Sequence, residues 1–162
     1  ITTDSGRLTR SWHENLLTAE FTAGHYVEIV SIIGHLLLID TLYRGLGLDE
    51  IHLSSTDTTA PNRDIPPEAK LQMAWVPTVS PRDATGQLAA EWFPDGEKAF
   101  IPHVTQSMSM VVAESLSFKR ISAPFYLDTA QVGDITQSAP GLLRPQVELI
   151  AARVSAMNEC FY

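Results

Sequence analysis

One cysteine, Cys160, is the only thiol in this chain. That excludes an internal disulfide and fits a reducing compartment, so a cytoplasmic location is expected. Basic residues are also sparse: 11 Lys and Arg stand against 19 Asp and Glu, for a net charge of −8. No stretch gathers them into a patch that would displace counterions from a phosphate backbone, which excludes nucleic acid as a partner. The five histidines are scattered without metal-ligand spacing, and no glycine-rich loop is placed to cradle a phosphate, so neither a metal nor an organic cofactor is expected. The longest apolar run, VEIVSIIGHLLLIDTL, spans 16 residues and carries Glu28, His35 and Asp40. By length and polarity it falls short of a bilayer span, so no membrane partner is expected and the run reads as a buried core helix. The first residues, ITTDSGRLTR, hold neither an initiator Met nor the apolar stretch of a secretory signal. The chain therefore reads as a processed product or a piece of something longer.

What is present has the composition of a soluble globular protein, 44% apolar and 19% charged over 162 residues. That length buries roughly two-thirds of the unfolded surface if it packs as one unit. Leu8, Trp12, Leu16 and Leu17 recur at helical spacing; Thr22 is placed to cap a second helix whose stripe runs through Val27, Val30, Ile33, Leu37 and Leu38. Gly45 and Gly47 can end that helix, because glycine tolerates left-handed backbone. HLSSTDTTAPNRDIPPE is rich in side chains that offer the backbone local hydrogen bonds, and reads as a linker. Leu71, Met73 and Trp75 alternate into a short extended segment, and Ser80-Pro81 predicts a helix start for a helix through Trp92.

Val104, Met108, Val111, Val112 and Leu116 then fall at helical spacing, read as core packing. APFYLDTAQV is a further candidate helix, and RPQVELIAARVSAM is a definite one. With no convincing β-hairpin signal and no exact repeat, the fold class is all-α.

In the last helix Val147, Ile150, Ala151, Val154 and Met157 share one face, with Glu148 off that stripe. Glu148 precedes Cys160 by twelve positions. In one unbroken helix that separation means about 120° of rotation and about 18 Å of rise, so the two side chains meet only if the chain turns between them. Asn158 can supply the turn as an N-cap, which would leave Cys160 in the first turn of a new helix, where the dipole favours a thiolate. Read from the residues alone, Glu148 serves equally well as a solvated helix residue paired with Arg144 or Arg153, and Cys160 as a small apolar residue at a helix end. His25, His35 and His103 are satisfied core histidines or pocket residues. Trp12, Trp75 and Trp92 read as packing anchors.

LLRPQVELIAARVSAMNECFY resembles the segment leading into the redox motif of the AhpD-like alkylhydroperoxidase and carboxymuconolactone decarboxylase family, where a Glu, an ALRVSALNGC type of run and CxxCxxxH follow in that order. Cys160 matches the first cysteine and Glu148 the upstream glutamate; the second cysteine and the histidine would lie beyond Tyr162. VPTVSPRDATGQLAAEW and IPHVTQSMS are similar to the V-P-E-x-A-x-G-x-L-A entry and VPNVFRALS run of peroxidase-related members. FTAGHYVEIVSIIGHLLLIDTLYRGLGLDE resembles the segment that follows the redox motif, with Asp40 and Thr41 standing where Asn and Arg are common.

The resemblance implies an AhpD-like helical bundle in which 1–49 is the tail of one repeat, 50–74 a linker and 75–162 the head of the next. It also implies a thiol peroxidase in which one cysteine is oxidised to a sulfenic acid and another resolves it, with Glu148 relaying protons beside Cys160. The partners so implied are a small hydroperoxide and a thiol reductant, in a homo-oligomer without cofactors. Two other classes remain. One is a decarboxylase-like acid–base enzyme on a small carboxylated lactone, needing a basic anchor such as Arg44 or Arg120. The other is a non-catalytic helical scaffold that uses the apolar 27–42 helix to complete an oligomer.

Overall fold

The computed structural model describes residues 4–52, 55, 58–94, 103–125, 127, 129–132, 134–138 and 141–160. They are helical: α1 is Arg10–Leu16, α2 Ala23–Leu46, α3 His103–Gln106, α4 Val112–Ser122, α5 Thr129–Val132 and α6 Arg144–Met157. Among the described residues no strand forms; Lys70 and Thr78 exchange backbone hydrogen bonds of 3.0 and 2.9 Å in a single antiparallel bridge. The chain is all-α, as its sequence pattern predicts.

Local chemistry sets the helix ends. Thr9 Oγ1 accepts the Trp12 N–H at 3.1 Å and starts α1. Thr22 starts α2 as expected, but its partner is a histidine: His25 Nδ1 accepts the Thr22 N–H at 3.1 Å, the place usually taken by Glu or Gln. Gly47 ends α2 at φ 67°, and its N–H reaches the Arg44 carbonyl. A residue with a Cβ would be strained in that left-handed conformation.

The inner face of α2 organises the interior. Val27 packs in one cluster with Val76, Met108, Met110 and Val111, and Ala23, Tyr26, Ala74 and Phe118 close around it. A second cluster joins Val79, Leu88 and Phe93, with Ala69, Ala84, Trp92 and Val112 against it. Segments 1–49 and 75–162 thus share a core, and α2 lies directly on α4. The 50–74 linker returns to α2 through Arg63, whose Nε donates to the buried carboxylate of Glu28 at 2.5 Å.

Several expectations are corrected. The 16-residue apolar run belongs to a 24-residue helix that is long and apolar enough to cross a membrane by length and composition. Nor is it a buried core helix: Val27, Glu28 and Ser31 face inward, while Ile29, Ile32, Leu36, Leu37 and Leu46 are exposed. In α1 it is His13, 2% exposed, that packs inward, edge-on to Tyr26 at 4.7 Å, and Trp12 that stays 37% exposed. The helix expected from Ser80 to Trp92 is broken. Ser80 starts a turn, Gly86 takes φ 54°, and only the wide turn Leu88–Trp92 follows, closed by the Phe93 N–H on the Leu88 carbonyl at 2.8 Å.

The helix expected through Val104 and Leu116 is two, α3 and α4. Serine hydroxyls cause the break: Ser107 Oγ donates to the Val104 carbonyl and Ser109 Oγ to the Gln106 carbonyl, each at 2.6 Å, competing with the helical ladder. The candidate helix APFYLDTAQV is a short turn, Ala123–Phe125, followed by α5.

Ser109 also accepts the Val79 N–H at 2.7 Å, and both residues are fully buried. Replacing Ser109 with Ala leaves that N–H without an acceptor away from water. Chemical denaturation should show a loss of about 1–3 kcal/mol for Ser109→Ala. Ser107→Ala should stay within about 0.5 kcal/mol. Equal effects would mean that the Ser109 bridge between the two clusters is not what holds this region.

Candidate functional site

α6 begins with two polar devices. Gln146 Oε1 accepts the Leu143 N–H at 2.8 Å, and Pro145 sits in the first turn, where its missing N–H costs nothing. Arg144, buried, then spreads its guanidinium over the chain before it. Its terminal nitrogens donate to the carbonyls of Gln131 and Asp134 at 3.3 Å and of Val132 at 3.0 Å, and its Nε donates to Glu148 Oε1 at 2.5 Å. A planar fork of donors suits this task, because it can satisfy several acceptors at the C-terminal end of α5 while its charge is balanced one turn along α6. Glu148 is therefore paired with Arg144, the structural alternative that its spacing allowed.

The end of α6 differs from what the sequence suggested. Asn158 terminates this helix instead of capping a new one: its N–H reaches the carbonyls of Val154 at 3.1 Å and Ser155 at 3.2 Å, and its Nδ2 donates to Val154 O at 2.9 Å. Glu159 then adopts φ 52°, among the described residues the one non-glycine in left-handed backbone. The Glu159 N–H bonds back to Ala156 O at 3.3 Å and the Cys160 N–H to Ser155 O at 2.9 Å. This pair of reversed bonds about a left-handed residue is a Schellman closure, most often made by glycine. Cys160 is exposed just beyond it. It faces the C-terminal, negative end of the α6 dipole, the reverse of the expected arrangement.

Glu148 and Cys160 are not brought together. α6 runs unbroken to Met157, and the nine steps from Glu148 to Met157 rise about 13 Å along the axis before the chain turns. The remaining candidates have structural duties. His25 caps α2 and stacks on Phe21 at 5.8 Å. His35 bonds Ser31 and lies 3.3 Å from the Ser117 hydroxyl. His103 opens α3. Arg44 lies 3.7 Å from Glu50, and Arg120 is exposed on α4. Trp92 anchors packing as expected: its indole N–H donates to Thr105 O at 2.8 Å, and Lys119 Nζ sits 5.9 Å from its ring centre. Trp12 and Trp75 likewise pack around the Tyr26 and His13 rings.

Two polar centres escaped sequence reasoning. Arg144 left a signal in its place directly before a helix-starting Pro, four residues ahead of Glu148. His13 left none, since its apolar neighbours suggested the opposite face. Compared with family models, with curated proteins and with solved structures, the chain matches none.

The loop held by Arg144 has its own acid-sensitive group. Asp134 accepts side-chain bonds from Gln137 and Thr136 and the Thr136 N–H, which together lower its carboxyl from the ordinary 3.8 to about 2. A depressed folded value means that the stabilisation is complete above 3.8 and is lost as pH falls through about 2. Carboxyl NMR titration should therefore place Asp134 near 2, and Thr136→Val should move its midpoint upward. An unchanged midpoint in that variant would contradict the assigned cause.

Proposed function

We propose that this chain is an AhpD-like, thiol-dependent peroxidase segment in which Cys160 is the thiol oxidised by a small hydroperoxide. The observation that carries the reading is the backbone at Glu159. The family run ALRVSALNGC has a glycine directly before its cysteine, and Glu159 occupies that position with φ 52°, a conformation that glycine adopts without strain. Sequence resemblance and backbone geometry thus agree at the residue that presents the thiol. The exposure of Cys160 supports the same reading, because a sensor or peroxidatic sulfur must be reached by its oxidant.

The chemistry balances with the groups named. The sulfur of deprotonated Cys160 attacks one oxygen of the hydroperoxide, the O–O bond breaks, and the alkoxide leaves as an alcohol after taking a proton. Cys160 becomes a sulfenic acid. With dithiothreitol as the reductant, one of its thiols acts as the resolving thiol. It attacks the sulfenic sulfur, forms a mixed disulfide and releases water. A second reductant thiol then cleaves that disulfide, leaving oxidised reductant and a free Cys160 thiol. Glu148, tied to Arg144 more than two helical turns away, takes no part in these steps; its role is to balance the buried guanidinium.

Turnover of tert-butyl hydroperoxide with dithiothreitol tests this. Wild type should consume peroxide and, when reductant is withheld, trap a dimedone adduct on Cys160. Cys160→Ser should abolish both signals. Glu159→Gly, which relieves a left-handed side chain at a cost difference of about 1 kcal/mol, should retain turnover. Turnover that survives Cys160→Ser, or no adduct in wild type, contradicts the assignment.

A further inference from the structure

Between α2 and α4 a serine hydroxyl faces an imidazole whose tautomer is fixed. His35 Nδ1 lies 2.6 Å from the Ser31 carbonyl, one turn back along α2, and 3.2 Å from the Ser31 hydroxyl. A carbonyl only accepts, so Nδ1 carries the proton and, in the neutral ring, Nε2 keeps its lone pair. Nε2 points across to α4, 3.3 Å from the Ser117 hydroxyl, which donates to it. A hydroxyl, a base within hydrogen-bond reach and a third group that orients the base are the parts of an activated nucleophile, and the first contact is commonly a little long before substrate is bound.

The pair is within reach of solvent. His35 and Ser117 are both only partly buried, whereas Ser31 behind the ring is 1% exposed. Phe118 packs edge-on against the imidazole at 5.8 Å. Gly34, the preceding residue, has nothing within 4 Å of where a Cβ would stand, so the approach from that side is open. On the other side of His35, Ile32 and Ile39 lie one turn before and after it and Leu36 follows it, forming an apolar stripe in which Ile32 is 56% and Leu36 45% exposed.

We infer that Ser117 and His35 form an acyl-transfer site, with Ser117 as nucleophile, His35 as general base and the Ser31 carbonyl as the group that orients it. The substrate class is an uncharged ester with a short apolar acyl chain, because the stripe beside the ring offers surface to such a chain and no counter-charge to an anion. Ser117 Oγ bonds to the acyl carbon as Nε2 takes its proton. The bond from that carbon to the leaving oxygen breaks, and Nε2 returns the proton to it, releasing an alcohol. Water, giving a proton to Nε2, then attacks the acyl-serine; the carboxylic acid leaves and the proton returns to Ser117 Oγ. The only co-reactant consumed is water. No residue is shared with the thiol chemistry, and the inference rests on no part of it.

4-Nitrophenyl butyrate tests this in a Cys160→Ser chain, where no thiol competes for the acyl group. That chain should release nitrophenol, with the butyryl group mapped by mass spectrometry to Ser117. Adding Ser117→Ala should abolish that adduct. Adding His35→Asn should slow its formation by at least about a hundredfold, each with unchanged far-UV circular dichroism. A butyryl group found only on other residues, or a rate indifferent to His35, overturns the proposal and leaves the contact as a tie between two helices. If either substitution costs helicity, an alkyl fluorophosphonate applied to the Cys160→Ser chain decides: an adduct on Ser117 supports the site, and one elsewhere or none at all overturns it.

Discussion

Burial of the inner face of α2 is the constraint on which the remaining packing depends. Val27 inserts among Val76, Met108, Met110 and Val111, residues that come from an irregular segment and a serine-broken turn. Those segments have little regular backbone of their own to hold them, so their shape follows the helix they pack against. Burying one side chain of this size stabilises by about 1.5–3 kcal/mol, and the cluster works as a set because each member fills the gap left by the others. Glu28 and His35 extend the same face with polar contacts, to Arg63 of the linker and to Ser117 of α4.

Polar groups do the positioning where apolar contacts are thin. Ser109 joins the two clusters by accepting a buried N–H, and Arg144 gathers three carbonyls at and just beyond the end of α5. In both places one side chain ties together stretches of backbone that are distant in sequence. This explains how 129–136 can be held against α6 although neither element is deeply buried. It also explains why Glu148 is engaged before any chemistry is considered, since a buried guanidinium without a counter-charge would be costly.

The two ends of α2 were the most legible part of the sequence. Thr22 and Gly47 each act through their own neighbours, and the structure places them where spacing predicted, whereas the start expected at Ser80-Pro81 is only a turn. Burial was less legible. Periodicity identified α2, but a helix that is apolar nearly all round does not say which side is inside; the core partners that choose Val27 over Leu36, Val76 and Met108 among them, lie far along the chain. The helix through Met108 failed for a related reason, because the serine hydroxyls that break it are neutral in a pattern of apolar spacing. At the candidate site, resemblance pointed to Cys160 and Glu148, yet the turn beside Cys160 depends on a left-handed Glu that composition alone would not predict. Asn158 was read as a beginning, although an Asn just past a helix serves equally well as its end.

The central claim is that α2 and α4 form the cooperative heart of the chain, with α6 outside it, joined by Arg144 to the carbonyls of Gln131, Val132 and Asp134. Native-state hydrogen exchange measures this directly, because it assigns an opening free energy to each helix. Inner-face amides of α2 and those of α4 should share the highest opening free energy and respond together to denaturant, while α6 opens at a lower one. An α6 as protected as α2, or an α2 that opens before α4, would contradict the account.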